Sequence, residues 1–163
     1  MLQAVPVDES FSDLPKISAL MERSFPANER MPLPVLLKRP GSSFFALYTD
    51  DTFCGFLSLL TWRDITHILF FAVEEEFRGR GYGTRALSLV RELFPGQRLL
   101  ADIESPGGKS RNEEERLARK RFYLRLGYRA SGISYRWRGE DYEILVCGAD
   151  ISSKEFSDFW DQF

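Results

Sequence analysis

The sequence predicts an α/β fold built on a mixed sheet, and three observations predict it. A strand reading at Thr66 to Val73 passes through a short acidic turn and a loop rich in glycine and arginine into a helix from Gly81 to Phe94. A further strand, Arg98 to Ile103, follows that helix, and strand, crossover helix and strand imply a parallel pair. Hairpin signals on either side of this unit supply antiparallel strands. At 163 residues the chain is long enough to bury roughly 70% of its unfolded surface, so a single domain over 1–163 is expected.

The elements follow in order. Leu2 to Val7 reads as a first strand. Ser10 or Ser12 is placed to cap a helix with apolar positions Leu14, Ile17, Leu20 and Met21. Phe25-Pro26 breaks that helix, and Pro32, Pro34 and Pro40 make 25–41 a loop with one helical turn at Val35 to Lys38. Ser43 to Thr49 and Thr52 to Trp62 read as strands joined at Asp50-Asp51. Thr66 to Val73 is apolar on both faces apart from Thr66 and His67, the pattern of a strand inside a sheet. The helix from Gly81 lines up Ala86, Leu87, Val90, Leu93 and Phe94, and Pro95-Gly96 ends it. After the loop 104–112, a charged helix from Glu113 to Leu126 is expected to pack through Leu117, Ala118, Phe122, Leu124 and Leu126, with Gly127 as its stop. Tyr128 to Arg138 and Tyr142 to Cys147 form a closing antiparallel pair around Gly139-Glu140. The tail 152–162 reads as an amphipathic helix with Phe156, Phe159 and Trp160 inward.

Composition narrows the function. The apolar fraction of 44%, charged fraction of 28% and net charge of −2 favour neither nucleic-acid nor membrane binding. Cys54 and Cys147 lack metal-ligand spacing and read as reduced thiols. With no signal-like leader and no apolar run of roughly 18 residues, a cytoplasmic protein is expected. The aromatic-rich end (Tyr135, Trp137, Tyr142, Phe156, Phe159, Trp160) is expected to cover the core, in a monomer or homodimer.

The basic character is local. Gly79, Gly81 and Gly83 let the backbone take positive φ and approach a ligand, while the helix that follows aims unpaired N–H groups and its positive dipole end at the loop. Arg78, Arg80 and Arg85 add full charges, and the sum is an anion seat, most simply for phosphate. The solvated-face alternative is that these arginines offset Glu74, Glu75 and Glu76. A Walker-type loop requires a lysine after the glycines, and none follows. A dinucleotide fingerprint requires G-x-G-x-x-G directly after the strand; here Thr84 stands at the third glycine, although Asp102 lies about where the ribose-binding acid of that fold would.

The run Arg78-Gly79-Arg80-Gly81-Tyr82-Gly83, with Phe71-Ala72-Val73 before it and Ala86-Leu87 after it, resembles the R-x-x-G-x-G/A signature of the GNAT superfamily of N-acetyltransferases. Phe122-Tyr123-Leu124-Arg125-Leu126-Gly127-Tyr128 is similar to that family's second motif, and the resemblance covers about residues 10 to 147. It implies a central mixed sheet with a splayed parallel strand pair, flanking helices and acetyl-CoA as cofactor. The pantetheine arm would bond to main chain of Phe71 and Val73 about Ala72, and the diphosphate would sit on N–H groups of Arg78, Gly79, Arg80, Gly81, Tyr82, Gly83 and Thr84. Tyr123 stands where the family's tyrosine protonates the departing sulfur, with Phe122 facing the core and Tyr123 the cleft. A free ammonium has a pKa near 10, so a base or a water chain must take a proton, and His67 and Glu104 are the candidates, with Glu74 to Glu76 read as turn residues. Arg116 stands where many members carry asparagine, and that contact is not carried over. The implied reaction is acetyl transfer to a primary amine, on a small molecule or a peptide, with 25–41 and 104–112 as acceptor loops. The competing class is an acyl-CoA-binding regulatory module without turnover.

Overall fold

The computed structural model describes residues 1–106 and 112–163. Among them, seven strands form a central sheet flanked by five α-helices, a mixed α/β architecture. The order is β1 (Leu2–Pro6), α1 (Leu14–Ser24), α2 (Leu33–Lys38), β2 (Ser42–Thr49), β3 (Thr52–Trp62), β4 (Ile65–Val73), α3 (Tyr82–Leu93), β5 (Arg98–Glu104), α4 (Glu113–Arg125), β6 (Arg129–Trp137), β7 (Glu140–Cys147) and α5 (Ser153–Trp160). The acceptor loop expected at 104–112 lies largely outside the described residues. The chain divides into two compact units, Met1–Thr61 with Ile68–Pro95 and Trp62–His67 with Gly96–Phe163.

In the first unit the strands run β1-β2-β3-β4. β2 and β3 join through Asp50 and Asp51, both at positive φ (46° and 65°), the geometry of a tight hairpin turn. A bulge at Leu47/Tyr48 shifts the β2–β3 register, and Gly55 of β3 lies opposite Leu47. A Cβ on Gly55 would sit 2.4 Å from the carbonyl oxygen of Ala72, so only glycine fits there. α1 buries Ile17, Leu20 and Met21 against Phe44, Phe56 and Phe70. Its N-cap is Asp13, not Ser10 or Ser12, because Ser10 turns back to Asp8 and Pro15 fixes the first helical turn. In α3 the buried positions are Ala86, Leu87 and Val90, whereas Leu93 is 42% exposed in the last turn.

In the second unit the strands run β5-β7-β6, antiparallel throughout. A bulge between Ala130 and Ser134, centred on Gly132 at φ +83°, inserts two residues and brings Tyr135 opposite Tyr142. The β6–β7 turn uses Arg138 (φ 49°) and Gly139 (φ 87°), one residue earlier than the sequence implies, because a two-residue hairpin needs positive φ at both central positions. Trp137 is 38% exposed at that tip, its ring 4.2 Å from the Arg138 guanidinium. α4 differs most from expectation. Its inward side is Glu113, Arg116, Leu117, Lys120 and Tyr123, while Ala118 and Leu124 face solvent. Arg116 and Lys120 find partners on β5 and β7, such as Lys120 with Glu143 at 3.1 Å, so this face is held by ion pairs as well as by apolar contact. α5 starts with a capping box in which Ser152 and Glu155 each accept a backbone N–H of the other.

Cys54 and Cys147 are both free thiols. No helix among the described residues is long and apolar enough to cross a membrane.

Candidate functional site

The loop before α3 has the chemistry of an anion seat. β4 ends at Val73, and a single 3-10 turn, Glu75–Phe77, leads to Arg78. Gly79 and Gly81 take φ +73° and +81°, and a Cβ at either position would meet nothing within 4 Å. Gly81 is the N-cap of α3 and supplies no side-chain acceptor, and the first turn holds no acidic residue. The N–H groups of that turn therefore point outward without a capping side chain, beside the positive end of the helix dipole. Phe77 and Tyr82 brace the loop edge to face, at 5.3 Å between ring centroids, and the Arg85 guanidinium lies 4.9 Å from the Tyr82 ring. Arg78 Nε donates to the Val73 carbonyl at 3.0 Å, which ties the loop to the end of β4. Arg78 and Arg80 are exposed. Glu74 pairs instead with Arg23 of α1 through two hydrogen bonds of 2.9 Å, so these loop arginines are not needed to neutralise it. On β4, Ala72 is buried, while Phe71 and Val73 are half-buried on the opposite face.

A polar network lies in the second unit. His67 is fully buried, and its Nε2 is hydrogen-bonded to Asp102 Oδ1. The other carboxylate oxygen of Asp102 accepts from the Tyr135 hydroxyl. The rings of Phe156, Phe159 and Trp160 on α5 surround the imidazole at 6.1, 6.0 and 5.4 Å between centroids. Tyr135 in turn stacks on Tyr142 at 5.3 Å.

Tyr123 is the buried member of its aromatic pair at 6% exposure, with Phe122 half-buried, the reverse of the simplest reading of the sequence. The end of α4 explains this. Tyr128 N–H bonds to the Tyr123 carbonyl at 3.1 Å, Gly127 N–H bonds to that of Leu124 at 3.2 Å, and Gly127 takes φ +92°. That is a Schellman motif, whose apolar contact joins the residues at its two ends, here Tyr123 and Tyr128 with centroids 5.2 Å apart. Burial pushes the Tyr123 phenol up to about 12; Arg119 opposes this and the charge of Asp102 adds to it.

Glu104 forms an ion pair of 2.6 Å with Arg116, both side chains nearly buried at 14% and 11%. Arg116 also bonds to Asn112 Oδ1 at 3.0 Å and contacts Glu140 at 3.3 Å. Asn112, out of register in the sequence, therefore reaches this cluster through an arginine.

Of the expected site residues, the structure brings Tyr123 and His67 into one electrostatic neighbourhood through Asp102, while Glu104 belongs with Arg116. Asp102 is the residue that sequence reasoning weighed only for a nucleotide fold. A signal was available, since Leu99-Leu100-Ala101-Asp102-Ile103 is an apolar strand interrupted by one carboxylate. Among the described residues no group of histidine, cysteine or carboxylate side chains could hold a metal ion.

The family model for the acetyltransferase (GNAT) family matches residues 14–128. No curated protein sequence matches. Among solved structures, a protein from Bacteroides thetaiotaomicron assigned to the GNAT family is 20% identical with a TM-score of 0.80, covering 99% of this chain and 94% of that one. The ribosomal-protein-S18-alanine N-acetyltransferase of Escherichia coli gives 15% identity and a TM-score of 0.69, covering 94% and 97%. A GNAT-family acetyltransferase from Elizabethkingia anophelis with acetyl-CoA bound gives 15% identity and a TM-score of 0.63, covering 91% and 98%. At these identities the likeness speaks for the fold.

Proposed function

The chain belongs to the acetyltransferase (GNAT) family, and we propose that it transfers an acetyl group from acetyl-CoA to a primary amine by direct attack in a ternary complex. The observation that carries this reading is the uncapped N-terminus of α3 behind two open glycines. A diphosphate fits there because it needs backbone donors, close approach and positive charge, and the loop offers all three. The N–H groups of Tyr82, Gly83 and Thr84 would hold it, with Arg78 and Arg80 flanking and Gly79 and Gly81 giving access. Main chain of Phe71 and Val73 would hold the pantetheine arm as an added strand does.

When bound, acetyl-CoA supplies an activated acyl carbon and a thiol leaving group. The chain's own groups manage the protons. A phenol pushed up to about 12 keeps its proton throughout the physiological range, so Tyr123 serves as a standing donor to the departing sulfur. A thiol has a pKa near 8.5, so complete transfer from this phenol runs uphill and the role is hydrogen-bond donation as charge develops. Of the two base candidates, Glu104 already faces a guanidinium and His67 is sealed from solvent. Each would therefore act through a neighbour. The acceptor is a small-molecule or peptide amine.

The test is thiol release from acetyl-CoA across a panel of amines, paired with calorimetry on Gly81→Trp. Turnover on at least one amine and loss of acetyl-CoA binding in the variant are expected. Binding without turnover on any amine would favour the regulatory module, and unchanged affinity in Gly81→Trp would remove the loop from the cofactor site.

A further inference from the structure

Resting on that reading, we infer that Asp102 is the carboxylate that seats the acceptor's ammonium group and takes its proton, with His67 and Tyr135 as positioning residues behind it. Exposure separates their roles. The His67 side chain is 0% exposed and that of Asp102 26%, so of these two only the carboxylate can meet a substrate. Among the described residues Asp102 Oδ1 is bonded to His67 Nε2 and Oδ2 accepts from the Tyr135 hydroxyl. A carboxylate offers about four acceptor sites, so two remain for an incoming N–H.

The imidazole cannot take the proton itself. An ionised carboxylate only accepts, so Nε2 must carry hydrogen. Among the described residues His67 Nδ1 is buried with no hydrogen-bond partner, and protonating it would place a charged donor among the rings of Phe156, Phe159 and Trp160. In this arrangement His67 Nε2 is the donor that fixes the carboxylate. On this assignment His67, named from the sequence as a base candidate beside Glu104 and a water chain, positions the base.

Among the described residues, these groups bond to Asp102 or interact with its charge. β4 contributes His67, β6 contributes Tyr135 backed by Tyr142 of β7, and α4 contributes Tyr123 with Arg119 acting on it. α5 brings aromatic rings to His67 and Tyr135. Asp102 thus offers an anionic surface to a cation, and its charge reaches the phenol of Tyr123. In the step itself the ammonium N–H bond breaks towards an Asp102 oxygen as the freed electron pair on nitrogen bonds to the acyl carbon, the C–S bond then breaks with its pair leaving on sulfur, and the second proton that nitrogen sheds balances the thiolate.

Steady-state kinetics with an amine that the wild type acetylates, combined with 15N–1H NMR of the chain's single histidine, test this. Asp102→Asn should lower kcat/KM for the amine roughly 100-fold or more while acetyl-CoA Kd stays unchanged. Tyr135→Phe should displace the acidic limb of the pH–rate profile, and His67→Gln, which can still donate, should retain more activity than His67→Leu. The wild-type spectrum should show hydrogen on Nε2. A wild-type pH profile and kcat/KM in Asp102→Asn, an unmoved limb in Tyr135→Phe, or hydrogen on Nδ1 would each overturn the assignment while leaving acetyl transfer intact. A wild type inactive on every amine would remove both.

Discussion

The packing of Tyr123 and the donor role proposed for it separate by experiment. As the residue at one end of the Schellman motif it packs on Tyr128, and as a phenol held up by burial it keeps a proton near the charge of Asp102. Tyr123→Phe preserves the ring contact and removes the proton. The expected result is a kcat lower by roughly 10- to 100-fold with acetyl-CoA Kd unchanged, read by steady-state kinetics and calorimetry. Full activity would leave only the packing role. The spacing Tyr123, Gly127, Tyr128 was legible in the sequence because a left-handed helix stop and the contact across it are local. The partners of Asp102 were not, since His67 lies 35 residues away and Tyr135 33, and nothing in their neighbourhoods marks the meeting.

At the scale of elements, strands β3 and β4 approach so closely at Gly55 that a methyl group would clash with main chain. Gly55→Ala is expected to destabilise the protein by about 1–3 kcal/mol, since the obstruction is a backbone carbonyl that cannot rotate away. Urea unfolding with an unchanged m-value would register it, and unchanged stability would mean that β4 yields there. Strand and helix positions followed the sequence to within a few residues because apolar periodicity is a local property. The inward face of α4 is the exception. Its inward stripe carries Arg116 and Lys120, whose acidic partners come from β5 and β7, so a reading by hydrophobicity chose Leu124 and Ala118 instead.

Across the whole chain, ionisation sets opposite limits at the two ends of the pH scale. Asp64 is held below the usual carboxylate range, first by its hydrogen bond from Arg98, and Glu155 first by the Ser152 backbone N–H and then by Arg98. Depressed values mean that this stability is present above the unfolded pKa and lost as pH falls through the folded one; both groups are exposed, so the loss is small. Burial pushes Cys54 up to about 11 and Tyr123 up to about 12. Raised values reverse the sign, so stability is complete below the unfolded values of roughly 8.5 to 10 and drains as pH rises towards 11 and 12. Thermal melts should show Tm falling steeply above about pH 9, and Tyr123→Phe should flatten part of that fall. An alkaline limb unchanged in Tyr123→Phe would exclude this phenol as its source. By itself the sequence determined the order of strands and helices, the glycine–arginine loop ahead of α3, and the family, because each is written in residues near one another along the chain. Only the tertiary structure decided which ionisable groups work together, giving Glu104 to Arg116 and Asp102 to His67 and Tyr135. Charge and hydrogen bonding act through space between strands far apart in sequence, and burial decides which member of each group still meets solvent.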